Sequence, residues 1–314
     1  MSIQSLGKLL NPRRIAVVGA SDQPGKVGYT LLQNMIGRSY EGVVYPVNPA
    51  REAVQGIAAW KRLSDLPHAP DLAVICTPAA GVPDLIDECG RMGVPGAMII
   101  SAGFREVGPA GKALEDQIRQ VSARYRDLRI IGPNCLGLIV PEVCKMGGIG
   151  GPARDAAKAY QPGPVGVMSR SGGMTTEISS SLTQAGLGVS TAVSIGGDAI
   201  IGSTYAELMP YFEADEQTEA IVIYTEPGGR MEAQLAEWVK DNDSRLPIVA
   251  FMAGKFMDDD EMKGMSFGHA GTIVEGKEDT ATEKIARLEA AGIRVVERID
   301  EIPDAVKEKI GATT

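Results

Sequence analysis

The stretch that decides the fold is Arg14-Ile15-Ala16-Val17-Val18-Gly19-Ala20-Ser21-Asp22-Gln23-Pro24-Gly25-Lys26-Val27-Gly28. Its apolar beginning is typical of a buried strand, and its glycine-rich second half leads into a helical pattern. A strand, a glycine-rich turn and a helix form the first unit of a doubly wound nucleotide-binding sheet. The amides of the turn and the start of the helix can hold phosphate, and Lys26 adds positive charge.

The turn lacks the G-x-G-x-x-G spacing of NAD-binding proteins. The next predicted strand ends in Val47, Asn48 and Pro49, where no acidic residue is present to bind the adenosine ribose of NAD. The sequence therefore favours a phosphate-bearing adenine cofactor other than NAD. A structural turn that binds no ligand is the alternative.

The alternation of strands and helices continues to residue 140. Strands are predicted at 72–76, 96–100 and 128–131, and helices at 81–90 and 110–125. The carboxyl ends of parallel strands meet at one edge of a sheet, so the turns after them should line one crevice. Those turns are 19–28, 47–49, 77–79, 101–104 and 132–135.

A second α/β domain is predicted over residues 164–314. Residues 141–163 are rich in glycine and proline and lack strong periodicity, so we expect them to connect the two domains. The alternation then resumes and predicts a flavodoxin-like parallel sheet. Its strands are expected at 165–168, 189–195, 220–224, 248–252 and 293–296, and its helices at 174–184, 203–213, 230–241, 280–291 and 301–309.

One of the two histidines, His269, stands in the glycine-rich run Phe267-Gly268-His269-Ala270-Gly271. Glycine allows the backbone to bend sharply and to approach other groups closely. A neutral imidazole can attack a phosphoryl group and form a labile N–P bond. The charged segment 257–263 before it predicts a solvated loop. A surface histidine without a role is the alternative.

Two other turns of the second domain could meet His269. The turn Ser169-Arg170-Ser171-Gly172-Gly173 precedes a helix, so its amides predict a phosphate site. It lacks the G-x-S-x-G pattern of a hydrolase nucleophile elbow, which argues against a serine hydrolase. Glu226 follows a strand and could orient the imidazole. Glu226 could equally be an acid that stabilises the start of the next helix.

The composition excludes several classes of protein. The net charge is −9 and no basic tract is present, which argues against a nucleic-acid-binding protein. No apolar run is long enough to span a membrane, and we expect no signal peptide. The four cysteines show no C-x-x-C spacing, so we expect a reduced protein without a metal site. A cytoplasmic location is expected, or the mitochondrial matrix in a eukaryote.

Four motifs together resemble the α subunit of succinyl-CoA synthetase and, more broadly, the NDP-forming acyl-CoA synthetases. They are Ile131-Gly132-Pro133-Asn134-Cys135-Leu136-Gly137, Ser169-Arg170-Ser171-Gly172, Ile195-Gly196-Gly197-Asp198 and Gly268-His269-Ala270-Gly271. Their order and spacing match the family over nearly the whole chain. Residues 18–22 and 46–49 are more similar to the ADP-forming acetyl-CoA synthetase branch.

The resemblance implies that the first domain is a Rossmann-like domain that binds coenzyme A. It implies that His269 becomes a phosphohistidine, that Glu226 pairs with it and that residues 169–173 hold the phosphate. The implied enzyme is an acid–CoA ligase. The residues that we expect to contact coenzyme A are Gly19, Ala20, Ser21, Gly25, Lys26, Val47, Asn48, Pro49, Ser101, Ala102, Gly103, Asn134 and Cys135.

The resemblance also implies a partner. The sequence has no Walker A motif and ends soon after its second domain, so the nucleotide site is expected on an ATP-grasp β subunit. That subunit would bind ATP or GTP with Mg²⁺ and form a heterodimer or a heterotetramer with this chain. A non-catalytic regulatory protein that binds coenzyme A or a nucleotide is the alternative.

One position departs from the succinate enzymes. Their helix after Ser-Arg-Ser-Gly carries a tyrosine where this sequence has Thr176. We therefore expect Thr176 beside a small carboxylic acid other than succinate. The identity of the acid, the choice between ATP and GTP, the stoichiometry and the direction of the reaction stay open.

Overall fold

The computed structural model describes residues 7–8, 10–36, 40–198, 202–262, 269–272, 274 and 276–311. Two sheets with helices packed against them form the framework of these residues. The α/β fold class that the sequence predicts is confirmed.

The first sheet contains only parallel strands, in the order β2-β1-β5-β6-β7. The strands of this half are β1 Arg14–Val18, β2 Val43–Val47, β3 Ala53–Val54, β4 Ile57–Ala58, β5 Leu72–Ile75, β6 Gly96–Ile99 and β7 Arg129–Ile131. The strands β3 and β4 form a separate small hairpin. The helices are α1 Val27–Ile36, α2 Val82–Arg91 and α3 Pro109–Ser122.

The sequence explains why these segments fold in this way. Every residue of β5 is buried, as expected for a central parallel strand covered on both faces. On α2, Val82, Ile86 and Cys89 recur at helical spacing, and all three are buried. An apolar stripe of this kind must pack against the sheet, so the layer of helices follows from the pattern.

The second sheet has the order β14-β13-β12-β10-β11-β8-β9. Its strands are β8 Gly137–Val140, β9 Cys144–Gly147, β10 Val165–Ser169, β11 Ala192–Ser194, β12 Ala220–Thr225, β13 Ile248–Met252 and β14 Arg294–Val296. Its helices are α4 Ala153–Ala159, α5 Gly172–Gln184, α6 Tyr205–Ala214, α7 Met231–Asn242, α8 Ala281–Glu289 and α9 Ile302–Ile310.

The structure corrects one prediction in this half. The second sheet is mixed and not purely parallel, because β8 pairs antiparallel with β11 and β9 antiparallel with β8. Residues 141–163, which are predicted to connect the domains, contain β9 and α4. Gly137 and Gly147 face each other with positive φ, and a Cβ on either would collide with backbone. Because glycine is typical of loops, these glycines concealed the pairing of β8 with β9 from the sequence-based prediction. The division into 1–140, 141–163 and 164–314 stays a proposal.

The parallel strands of both sheets follow the flavodoxin-like order 2-1-3-4-5, counted along the chain within each sheet without the hairpin strands. In such a sheet the connections diverge between the first and the third strand, and ligands bind at the carboxyl ends there. The two switch points lie between β1 and β5 and between β10 and β12.

The two domains pack against each other. The side-chain amide of Asn34 donates to the carbonyl oxygen of Gly147 at 3.1 Å, and Arg129 forms an ion pair with Glu207 at 3.0 Å. Among the described residues, none of the helices has the length and apolar character needed to cross a membrane.

We predict that Gly28→Ala destabilises the first domain. A Cβ at residue 28 would collide with the carbonyl oxygen of Gly19, because the start of α1 closes directly onto the turn after β1. Overpacking of this kind costs about 1–3 kcal/mol in the free energy of unfolding. Chemical denaturation measures the loss.

Gly81→Ala is the matched control. Its Cβ would meet no atom within 4 Å, and its φ of −90° suits any residue. Equal stability of the two variants would contradict the close approach of Gly28 to Gly19.

Candidate active site

Glu226 and Arg170 lie at the second switch point. Arg170 directly follows β10 and Glu226 directly follows β12, and these two strands are neighbours in register. Their carboxyl ends therefore bring together two residues that are 56 positions apart in the chain. The fold places both residues at the edge where open α/β sheets bind ligands.

His269 is hydrogen-bonded to the Glu226 carboxylate. Its Nδ1 lies 2.8 Å from Oε2 and 3.1 Å from Oε1 of Glu226. Glu226 is buried, whereas the imidazole is partly exposed. The hydrogen bond that Glu226 accepts from His269 raises the pKa of the imidazole against the opposing effect of burial. Burial raises the pKa of Glu226, but the hydrogen bond and charge of His269, with Arg170 and Tyr224, lower it overall.

Two glycines let the imidazole lie close to the backbone. A Cβ at Gly197 would lie 2.7 Å from Nε2 of His269, and nearer still to Cγ and Cδ2. A Cβ at Gly271 would collide with the guanidinium of Arg170 and with the carbonyl oxygen of Gly197. The amide of Gly271 also donates to that carbonyl at 3.2 Å. The histidine segment is thus docked on the turn after β11. Gly268, which belongs to the predicted glycine-rich run, lies outside the described residues.

The segment before the histidine is more ordered than the prediction of a solvated loop. Short 3₁₀ turns cover Lys255–Asp258 and Asp260–Met262, and Met257 is buried. The Asp258 carboxylate accepts hydrogen bonds from the amides of Ala281 at 2.7 Å and Thr282 at 2.9 Å. Part of the acidic run therefore caps α8, which corrects the expectation. Lys263 lies outside the described residues.

Arg170 holds the backbone of the Glu226 segment by hydrogen bonds to its carbonyl oxygens. Its side chain is buried, and Nη1 donates to the carbonyl oxygens of Glu226, Pro227 and Gly228 at 3.3, 3.2 and 3.4 Å. Its Nε lies 3.9 Å from Oε2 of Glu226. Arg170 therefore supports the carboxylate that holds the histidine. Its predicted contact with phosphate stays a proposal.

Lys284 and Glu232 complete this support, although neither residue was predicted from the sequence. Lys284 Nζ is buried and donates to the carbonyl oxygens of Glu226, at 3.1 Å, and of Gly228. It also pairs with Glu232 at 2.6 Å, and Glu232 accepts a hydrogen bond from Thr225. These residues lie on α8 and α7 in ordinary amphipathic patterns. No local signal distinguished them from surface charges.

The turn at residues 169–173 forms the start of α5. Ser171 is the N-cap, and its hydroxyl accepts a hydrogen bond from the amide of Met174 at 3.4 Å. The hydroxyl of Ser169 donates to the carbonyl of Ser171 at 2.7 Å. Gly172 and Gly173 are the first helical residues, where backbone amides have no partner within the helix. The helix start therefore lies two residues beyond Arg170 and remains the proposed phosphate site.

Thr176 lies one turn further along α5. Its hydroxyl is 2.9 Å from the hydroxyl of Tyr160 and donates to the carbonyl of Gly172 at 3.4 Å. Within the described part of the chain, no hydrogen bond joins Thr176 to His269. Its placement beside the carboxylic acid stays a prediction.

A crevice of about 440 Å³ lies at the first switch point. Three predicted cofactor-binding residues line it, namely Gly19, Val47 and Pro49. Lys61 and Arg62 also line it, and the sequence analysis missed them because they follow the small hairpin and not a strand of the main sheet. Lys61 and Arg62 can pair with phosphate groups, although Asp84 and Glu88 also line the crevice and balance their charge.

The turn after β1 is braced by hydrogen bonds. The side-chain amide of Asn48 donates to the carbonyl of Ala20 at 2.8 Å, so Asn48 links two turns. The side chain of Gln55 donates to the carbonyl of Ser21 at 3.0 Å. Gly25 has a φ of 87° and is exposed, as is Lys26. These contacts leave Lys26 accessible to an anion.

The remaining predicted cofactor residues lie towards the seam between the domains, where the turn after β7 meets the turn after β11. The hydroxyl of Ser101 donates to the carbonyl of Thr77 at 2.5 Å, and the amide of Asn134 donates to the carbonyl of Ser101 at 3.1 Å. Cys135 is buried, and burial raises the pKa of its thiol to about 12. None of these residues, nor Ala102 or Gly103, is among the described residues that line the crevice. Their contact with a cofactor stays a prediction.

Comparison with known families matches both domains. The CoA binding domain matches residues 13–141, and the succinyl-CoA ligase like flavodoxin domain matches residues 162–308. The resemblance that the sequence motifs indicate is confirmed. In the described residues, no group of three acidic, histidine or cysteine side chains could hold a metal ion.

Individual relatives agree with these matches. A succinate–CoA ligase [ADP-forming] subunit alpha 2 of Archaeoglobus fulgidus is 32% identical, over 94% of this chain and 96% of the relative. An acetate–CoA ligase [ADP-forming] I subunit alpha of Pyrococcus furiosus is 36% identical over 80% of this chain. The chain spans 53%, 39% and 34% of the lengths of three acetate–CoA ligases that it matches.

A solved structure has the same fold over nearly the whole chain. It is a dinucleotide-forming acetyl-coenzyme A synthetase of Ca. Korarchaeum cryptofilum in complex with phosphate and ADP. The TM-score is 0.80 at 29% identity, and the match covers 96% of this chain and 61% of that protein.

We predict that Glu226→Gln lowers the pKa of His269. The carboxylate hydrogen bond and charge hold this pKa above its ordinary value, and an amide keeps the shape without the charge. NMR titration of the imidazole resonances against pH measures the change. His68, which is exposed in the first domain, is the internal reference.

Glu237→Gln, an exposed change on α7, is the matched control and should leave the titration of His269 unchanged. An unchanged pKa of His269 in the Glu226→Gln protein would contradict the pairing.

Proposed function

This chain belongs to the family of ADP-forming acyl-CoA ligases, and on that premise we propose that it is the α subunit of an acid–CoA ligase. The proposed reaction joins a carboxylic acid to coenzyme A and converts a nucleoside triphosphate to the diphosphate and phosphate. The observation that carries the proposal is the hydrogen bond of His269 to a buried carboxylate at a sheet switch point.

The pairing suits His269 to accept a phosphoryl group. Donation from Nδ1–H to Glu226 fixes one tautomer and places the lone pair of the neutral ring on Nε2. In the proposed step Nε2 bonds to the γ-phosphorus while the bond to the leaving diphosphate oxygen breaks. The Glu226 carboxylate then stabilises the positive charge that develops on the ring. Gly172 and Gly173 at the start of α5 supply amides for the phosphoryl oxygens.

The phosphohistidine solves a chemical problem of the overall reaction. A carboxylate has a poor leaving group, and transfer of the phosphoryl group to it gives an acyl phosphate whose leaving group is phosphate. The thiol of coenzyme A then attacks the acyl carbon. The covalent relay divides one difficult substitution into three easier ones.

The first domain is proposed to bind coenzyme A in the crevice between the turns after β1 and β5. The crevice combines apolar walls with Lys61 and Arg62, and Lys26 stands on the adjacent turn. An adenine nucleotide with several phosphates needs both features. The matching CoA binding domain covers this crevice.

The nucleotide site is proposed to lie outside this chain, on an ATP-grasp β subunit that binds ATP or GTP with Mg²⁺. Several relatives carry the word alpha in their names, which implies a partner subunit. The acid is proposed to be a small carboxylate near Thr176, since relatives are named for acetate, succinate and sulfoacetate. A purely regulatory binding protein would have no use for a phosphorylated His269.

We predict that His269→Ala abolishes both the incorporation of phosphate from a nucleotide and the synthesis of acyl-CoA. Glu226→Gln should slow phosphoryl transfer by about 10²–10⁴-fold, as the loss of a positioned catalytic group commonly does. Acid-labile, alkali-stable phosphate on the chain, measured with the β subunit present, reports the first step.

The rate of phosphoryl transfer to His269 should also depend on pH. Below its pKa His269 carries protons on both nitrogens and has no lone pair, so phosphoryl transfer falls as the pH falls. The midpoint of this fall should lie above the ordinary pKa of histidine, because Glu226 raises the pKa of His269.

His68→Ala is the matched control for His269→Ala. A His269→Ala protein that makes acyl-CoA at the wild-type rate would end the proposal.

We predict that coenzyme A binds this chain more tightly than NAD does. In the Lys61→Gln/Arg62→Gln double variant the affinity for coenzyme A should fall by about tenfold. A loss of that size is expected when a charge-assisted hydrogen bond to phosphate is removed. Titration calorimetry of the complex measures both affinities. Lys240→Gln, an exposed change in the second domain, is the control, and tighter binding of NAD would contradict the assignment.

A further inference from the structure

Asp198 carries a buried carboxyl that the mechanism above does not use. Only 1% of its surface is exposed. Both of its carboxyl oxygens are buried, and among the described residues neither oxygen has a hydrogen-bond partner of ordinary geometry. Buried polar groups in folded proteins are nearly always paired, so an orphaned carboxyl points to an occupant that belongs there.

The position of Asp198 is at the seam between the two proposed sites. It follows Gly197, on which the His269 ring rests. From the first domain, the side chains of Glu106 and Asn134 affect the pKa of its carboxyl. The first domain reaches the same turn through the backbone, because a Cβ at Gly196 would lie 2.5 Å from the carbonyl oxygen of Pro133.

The other carboxylates near this seam already have partners. The two oxygens of Glu106 accept the amides of Gly103 and of Phe104, the latter at 2.9 Å. Glu226 holds His269, and Glu115 pairs with Arg119 at 2.9 Å. Within the described part of the chain, Asp198 is the buried seam carboxyl whose two oxygens are both unused.

The last step of the proposed reaction needs such a group. A thiol is a weak nucleophile, and the thiolate is the reactive form. Coenzyme A bound in the first domain must present its thiol to an acyl phosphate formed at His269, so the thiol has to reach the seam. No group assigned so far accepts its proton.

We propose that Asp198 is the general base that accepts the proton of the coenzyme A thiol during acyl transfer. The inference rests on the proposed function. The S–H bond breaks and its proton goes to a carboxylate oxygen of Asp198. The sulfur forms a bond to the acyl carbon, the bond from that carbon to the phosphate oxygen breaks, and phosphate leaves with the electron pair. Asp198 then returns the proton to solvent.

The electrostatics of the seam support this role. Burial first, and then the negative charge of Glu106, raise the pKa of Asp198 to about 7, whereas Asn134 lowers it and the charge of Glu115 raises it further. His269 and Arg170 are the other charged or titratable groups beside this turn. A base with a pKa near the working pH combines a useful ionised fraction with a real affinity for the proton.

The experiment separates the two halves of the reaction in the complex with the β subunit. With hydroxylamine in place of coenzyme A, the acyl phosphate gives a hydroxamate without needing a base for a thiol. Asp198→Asn should keep the wild-type rates of His269 phosphorylation and of hydroxamate formation. Its acyl-CoA synthesis should fall by about 10²–10⁴-fold, the usual contribution of a general base.

Two further readouts distinguish a base from a structural residue. Acyl-CoA synthesis by Asp198→Asn should recover as the pH rises towards the thiol pKa of about 8.5, because hydroxide then ionises the thiol. In the absence of turnover, carbon-13 NMR of labelled aspartates should show a carboxyl that titrates near neutral pH and is missing from Asp198→Asn. The matched control is Asp243→Asn, an exposed change at a left-handed position that asparagine tolerates.

Glu106→Gln provides a second variant should Asp198→Asn fail to fold. It removes a negative charge that raises the pKa of Asp198, so the acid limb of acyl transfer from added acyl phosphate to coenzyme A, a step that does not need His269 phosphorylation, should move to lower pH. An unchanged limb, or an Asp198→Asn protein with full acyl-CoA synthesis, overturns the inference. Loss of hydroxamate formation in folded Asp198→Asn also overturns it. Absence of phosphate on wild-type His269 would instead overturn the proposed function.

Discussion

The site depends on two buried cations that hold one stretch of backbone. Arg170 and Lys284 both donate to carbonyl oxygens between Glu226 and Gly228. Removing an ion from water costs several kcal/mol, and Glu232 offsets that cost for Lys284 by pairing with it at 2.6 Å. The side chain of Glu226 therefore leaves a fixed backbone, which is why its carboxylate reaches Nδ1 of His269 in a definite geometry. Without those cations the carbonyls would be unpaired in a dry interior.

Local patterns were sufficient for the parts of the molecule that are local in sequence. The run from Arg14 to Gly28 gave β1, its turn and α1, because hydrophobic spacing and glycine act over a few residues. The meeting of Glu226 and His269 could also be anticipated, since strand ends and a glycine-rich loop converge in such folds. Other contacts could not be read in advance. The contact of Lys284 with Glu226 spans 58 positions, and nothing local marks that lysine as buried. The antiparallel strands β8 and β9 were hidden by the glycines that make their pairing possible.

The two domains have parallel strands in the same order but carry different residues at the switch points of their sheets. Each sheet places its candidate site at the carboxyl ends of its strands, where the connections diverge between the first and third strands. In the first half this edge holds apolar walls with cations, and in the second half it holds a carboxylate, an arginine and the histidine. The seam between the halves is formed by the turns that follow β7 and β11, and Asp198 lies on the second of these turns.

Cys89 and Cys144 are buried like Cys135, Cys76 is half-buried, and this has a chemical consequence. Burial raises the pKa of all four thiols, Cys76, Cys89, Cys135 and Cys144, to about 12. At neutral pH the thiolate fraction of such a group is on the order of 10⁻⁵. An activated acyl group made at the proposed site would find no competing nucleophile among the protein's own sulfur atoms. In the proposed reaction the thiol of coenzyme A would therefore meet no competition from the thiols of this chain.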